Sequence, residues 1–193
     1  MKIAIIGKGN VGTSLGNGLK RAGHEIRYGH RDPKEPVEAA ARWSEVVLFA
    51  VPYAAVKESV KEIGGAADGK TLVDVTNPLT PEMDIAIGYS TSGAEELQKM
   101  LPKAHVVKAF NTVFAENQGS GKVGTEQLTA FLAGNDAGAK KTVMQLARDL
   151  GFEPVDTGGL KSARYLEPMA VMIIYLGYGL NMGKKIGYRL VKG

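Results

Sequence analysis

Residues 2–12 read KIAIIGKGNVG, a short apolar run from Lys2 to Ile6 that passes directly into Gly7-x-Gly9-x-x-Gly12. Behind it, Val11, Leu15, Leu19 and Ala22 recur at helical spacing, and Gly23 stands where a helix would end. A strand, a glycine turn and an amphipathic helix in this order form the entry to a dinucleotide-binding unit. The glycines have separate tasks. Gly7 allows the tight turn, Gly9 lets backbone approach a pyrophosphate, and Gly12 lets the helix lie close to the strand. Unpaired N–H groups and the positive end of the helix favour an anion there, so Gly7, Gly9, Asn10, Val11 and Gly12 are the expected phosphate-binding residues.

Outward from this start the chain alternates. Strands are expected over Glu25–Gly29, Val46–Val51, Thr71–Val75, His105–Phe110, Leu128–Ala133 and Pro154–Asp156. The run from Val46 to Val51 is apolar throughout, as a strand covered on both faces requires. Helices are expected from Pro33 to about Arg42, with Asp32-Pro33 as cap and first residue, and over Ala54–Ile63, Gly93–Leu101 and Ala137–Leu150. Ser90 to Ser92 supplies a cap for the third of these. The polar stretch Asn117 to Gly124 reads as a surface loop. This pattern implies an α/β fold: a Rossmann-type, doubly wound, mainly parallel sheet over residues 1–157, joined by right-handed crossovers. Residues 158–193 form a C-terminal helical extension, one long or broken helix from Ala163 to about Arg189. Its glycines at 179, 183 and 187 would leave a smooth face for another helix, such as that of a second subunit.

Composition narrows the function. The 193 residues are 44% hydrophobic and 23% charged, which argues against disorder. The net charge of +4 is scattered, which suits an anionic small molecule better than nucleic acid. There is no cysteine, and His24, His30 and His105 have no metal-like spacing, so no metal site is expected. No signal segment or membrane span is read, and a cytoplasmic location is expected.

The end of the second strand selects the dinucleotide, because a carboxylate there suits a ribose 2′-hydroxyl and an arginine suits a 2′-phosphate. His30-Arg31-Asp32-Pro33-Lys34 favours the phosphate: Arg31 and Lys34 flank its place, His30 adds a hydrogen bond, and capping ahead of Pro33 explains Asp32. Ligands in such sheets lie beyond the carboxyl ends of the strands. Those ends carry Ala50-Val51-Pro52, Asn77-Pro78 and Ala109-Phe110-Asn111-Thr112, the first beside ribose and pyrophosphate, the others beside the nicotinamide. Lys108 and Lys161 stand near the expected groove edges as anion binders rather than bases. No nucleophile, base and orienting acid can be assembled, so no catalytic residue is assigned. Hydride transfer between stacked rings asks mainly for position.

The segments GKGNVG, GHRDPK, FAVPYAAV, VDVTNPL, HVVKAFNT, FLAGND and DTGGLKSARYLEP occur in order over nearly the whole chain. They resemble the NADP oxidoreductase family that includes coenzyme F420-dependent NADP reductase and the cytosolic domain of six-transmembrane metalloreductases. The resemblance implies a usually dimeric Rossmann protein that passes a hydride between NADPH and a deazaflavin or flavin, coenzyme F420 or FMN/FAD. It places Gly158, Gly159 and Leu160 beside the acceptor ring. Two other functions fit the residues: an NADP(H)-binding sensor without turnover, and a short relative of hydroxyacid or imine dehydrogenases.

Overall fold

The computed structural model describes residues 1–193. Its main sheet contains β1 (Lys2–Ile6), β2 (Glu25–Gly29), β3 (Val46–Phe49), β4 (Thr71–Asp74) and β5 (His105–Lys108). β6 (Lys122–Val123) and β7 (Glu126–Gln127) form a small separate hairpin, and β8 (Thr129–Gly134) and β9 (Glu153–Asp156) complete the main sheet. The order across the seven strands is β2-β1-β3-β4-β5-β8-β9. The first five are parallel, β8 runs antiparallel to β5, and β9 is parallel to β8. This is a Rossmann-like, mostly parallel α/β sheet.

The helices are α1 (Asn10–Arg21), α2 (Val37–Trp43), α3 (Val56–Ile63), α4 (Gly93–Met100), α5 (Ala115–Gln118), α6 (Ala137–Asp149) and α7 (Ala163–Ile174). They cover both faces. Ile3 and Ile5 of β1 pack with Leu15 and Leu19 of α1 and with α6. Ala4 and Ile6, one pleat away, pack with α2, α3 and α4. Two-sided burial explains why β3 is buried at every residue and reads as unbroken Val-Val-Leu-Phe. Chain direction across the sheet reverses between β1 and β3, and a crevice opens beyond their carboxyl ends.

Three expectations need correction. The second helix begins at Val37, not Pro33, because residues 30–35 close a turn: Glu35 N donates to Asp32 O at 2.9 Å and His30 N to Glu35 O at 3.0 Å. Pro36, extended at φ −65° and ψ 138°, also keeps Glu35 out of helical geometry. The expected surface loop at Asn117–Gly124 contains a turn of helix and a strand, and Asn117 and Gln118 are buried. Gln118 donates to the carbonyls of Phe110 and Val113, and Asn117 to Lys184 O.

The third correction concerns the C-terminus. α7 ends at Ile174, a wide turn follows over Tyr175–Gly179, and residues 180–193 are neither helix nor strand. Asn181 and Gly183 take positive φ (54° and 79°), which a continuing helix forbids. The glycines at 179, 183 and 187 therefore line no helix face. The tail instead lies on the body: Thr129 N donates to Tyr188 O, Leu190 N to Thr129 Oγ1, and Tyr188 Oη to Met169 O at 3.0 Å.

Candidate functional site

The glycine turn separates its three residues by geometry. Gly7 has φ +101°, and a Cβ on it would lie 2.3 Å from Ala50 O. A Cβ on Gly12 would lie 2.2 Å from Gly7 O, so this glycine sets how closely α1 meets β1. Gly9 has an unremarkable φ of −79° at the N-cap of α1, and a Cβ there meets nothing within 4 Å. No side chain caps α1, and no acidic residue sits in its first turn. Its leading N–H groups are left for an anion outside the helix.

The crevice beyond β1 and β3 encloses about 690 Å³, and Gly7, Gly9, His30, Arg31, Ala50, Val51 and Pro52 all line it. Asn10, Val11 and Gly12 occupy the first turn of α1 at its rim. Lys34 is not among the lining residues; its N–H donates to Asp32 Oδ1 at 2.9 Å, the capping role read for Asp32 transferred to a turn. Two members of this cluster escape a sequence reading. Glu35 contacts the Nε2 of His30 and accepts from Lys8 Nζ at 2.7 Å. His30 Nδ1 accepts from Asp32 N at 3.3 Å, which puts the ring proton on Nε2, facing Glu35. Bonds from Lys8 first and His30 second hold the Glu35 carboxyl below its usual range. Lys8, inside the glycine signature, signalled itself only by its place there.

Beyond β4 and β5, Asn77 and Asn111 are paired: Asn77 Nδ2 donates to Asn111 O, and Asn111 Nδ2 to Asn77 Oδ1, each at 3.1 Å. Asn111 Nδ2 also reaches Leu166 O of α7 at 2.9 Å, and its buried Oδ1 has no partner. Ala109, Phe110 and Thr112 are buried, and the Phe110 ring packs on Phe152 at 5.7 Å between centroids. Their side chains serve the core.

Lys108 binds no incoming anion. It is fully buried, with Nζ 2.9 Å from Asp74, 3.0 Å from Glu167 and 2.5 Å from Thr76 O. Burial pulls its ammonium down, but Asp74 and Glu167 more than offset this and raise it. Glu167 also accepts from Gly93 N and Ala94 N, so a carboxylate of α7 caps the start of α4. Gly158, Gly159 and Leu160 are likewise not brought to the crevice. β8 is antiparallel to β5, with Val107 opposite Gly134, and Gly158 O accepts from Gly134 N. The segment therefore leaves at the edge where β4 and β5 begin, opposite the crevice. Lys161 follows it there. α7 then climbs back to the carboxyl edge, where Pro168, Met172, Tyr175 and Tyr178 face the segment Glu82–Ile85 across a second hollow.

Comparison with known proteins agrees with this geometry. The family model described as "NADP oxidoreductase coenzyme F420-dependent" matches residues 2–42 and 34–78. Metalloreductase STEAP3 of Rattus norvegicus is 33% identical over 189 residues, covering 90% of this chain but 37% of its own length. The chain thus spans little more than a third of such metalloreductases, and no helix in it is long and apolar enough to cross a membrane. The F420-dependent NADP reductase of Methanothermobacter marburgensis is 28% identical, with 91% of this chain and 92% of that protein aligned. The solved structure of a protein provisionally named an F420-dependent NADP reductase, from Arthrobacter sp. FB24, superposes over the whole of both chains with a TM-score of 0.93 at 28% identity. The chain is thus similar to this NADP oxidoreductase family through residue 78, and to the relatives named above along most of the remainder.

Proposed function

We propose that the protein binds NADP(H) in the β1–β3 crevice and passes a hydride between it and coenzyme F420 or a flavin. The observation that carries this is Gly9. Its backbone angles suit any residue and a side chain there would strike nothing in the protein. Packing gives no reason for glycine, whereas a closely approaching pyrophosphate does. In this reading the bare N–H groups of α1 hold the pyrophosphate, and Arg31 with Lys8 and His30 holds the 2′-phosphate. That phosphate displaces the Glu35 carboxylate from its two partners. Val51-Pro52 and the Asn77–Asn111 pair border the rest of the cofactor. The cofactor supplies two electrons as a hydride from its dihydronicotinamide ring. The acceptor ring gains that hydride and a proton from water, so no protein acid or base is required.

Rapid mixing of the protein and NADPH with coenzyme F420, FMN, FAD and riboflavin tests the reading. Oxidation of NADPH, matched by bleaching of at least one acceptor, is expected. Tight NADPH binding with every acceptor left oxidised would instead favour a sensor.

A further inference from the structure

Two of the three cations that line the cofactor crevice already hold an anion, and that anion belongs to the chain. Glu35 accepts from Lys8 Nζ at 2.7 Å and meets Nε2 of His30; Lys8 and His30 line the crevice, whereas Glu35 stands outside its lining. Arg31, the third cation, makes no ion pair. The other acid of the turn is occupied elsewhere, since Asp32 Oδ1 accepts from Lys34 N at 2.9 Å.

The hydrogen-bonding capacity of His30 makes the arrangement exclusive. Its Nδ1 accepts from Asp32 N at 3.3 Å, so the ring has one N–H to offer, at Nε2, and that N–H faces Glu35. A phosphate can take this donor only by replacing the carboxylate. Lys8 has donors to spare, but a second anion set beside Glu35 on the same ammonium would meet a like charge. Departure of the carboxylate is a local event. Glu35 N donates to Asp32 O and His30 N to Glu35 O, so the backbone of the turn stays joined while the side chain, already 35% exposed, rotates into water.

We infer that Glu35 is an internal substitute for the 2′-phosphate, which exchanges with it on Lys8 and His30, and that this exchange sets how strongly a phosphorylated ribose is preferred. The inference rests on the proposed NADP(H) reading and adds a specificity-determining residue to it. An unphosphorylated ribose brings no competing anion and leaves Glu35 on its partners. Glu35 therefore weakens the phosphorylated ligand alone.

Adenosine 2′,5′-bisphosphate and 5′-AMP differ by that one phosphate, so calorimetric titration of each into the wild type, Glu35→Gln and Glu35→Ala is the test. Both variants should bind the bisphosphate about fivefold more tightly at low salt, with the gain shrinking in high salt, and should bind 5′-AMP as the wild type does. In a Lys8→Met background the gain from Glu35→Gln should shrink, because one of the two contested cations is gone. Bisphosphate affinity that is unchanged or lowered in both variants, with the wild type still preferring the bisphosphate to 5′-AMP, overturns the inference and leaves the NADP(H) reading standing. An equal gain for 5′-AMP also overturns it, since the carboxylate would then repel the whole nucleotide. A wild type and variants that all bind the two nucleotides alike overturn the 2′-phosphate reading itself, and the inference with it.

Discussion

At the residue scale the glycine signature divides into two members that packing requires and one that packing does not explain. Gly7 and Gly12 are fixed by contacts of 2.3 and 2.2 Å that a Cβ would make with Ala50 O and Gly7 O, whereas Gly9 faces open space. Gly12→Ala should therefore prevent normal folding or lower the melting temperature sharply. Gly9→Ala should melt within a degree or two of the wild type, as surface substitutions usually cost less than about 0.5 kcal/mol. Its NADPH affinity, read by fluorescence titration, should fall at least tenfold. The sequence revealed this turn because spacing alone demands it. It concealed Glu35, whose side chain reaches His30 and Lys8 only because residues 30–35 close a turn that Pro36 keeps from becoming helix.

At the scale of elements, α7 is positioned by buried charge. Lys108 of β5 lies between Asp74 of β4 and Glu167 of α7, and Glu167 caps α4. Lys108→Met keeps the volume but leaves two carboxylates facing each other in the interior. It should lose about 3–5 kcal/mol in denaturant unfolding, because removing one partner leaves buried charge uncompensated. A second tie is Arg164, which grips Glu95 with two bonds at 2.8 Å. That bond lowers the Glu95 carboxyl below its ordinary 4.5. The resulting stability is present above 4.5 and is lost as pH falls through the lower folded value. Melting temperature should consequently drop as pH is taken below 4.5, and Glu95→Gln, less stable at neutral pH, should show a flatter profile over that range. The strands and helices themselves were legible because two-sided burial writes itself as apolar runs and helical periodicity. The role of Lys108 was not, since a lysine at a strand end reads as exposed until the two carboxylates that surround it are folded into place. Nor could the reversed course of β8 be read, and that course alone carries Gly158–Leu160 away from the crevice.

At the scale of the molecule, strand order brings the glycine turn after β1 and the end of β2 to one crevice. Reversal between β1 and β3 opens the crevice, and the cationic end of β2 lies beside it. In the proposed function, this end selects a phosphorylated ribose. A charged hydrogen bond contributes about 1.5–3 kcal/mol, so losing a phosphate or its arginine should each cost roughly tenfold or more. Calorimetric titration of NADPH and NADH into the wild type and into Arg31→Ala measures this directly. NADPH should bind at least tenfold more tightly than NADH to the wild type, with most of that margin gone in the variant. Equal affinity for the two nucleotides, unchanged by the substitution, would contradict it.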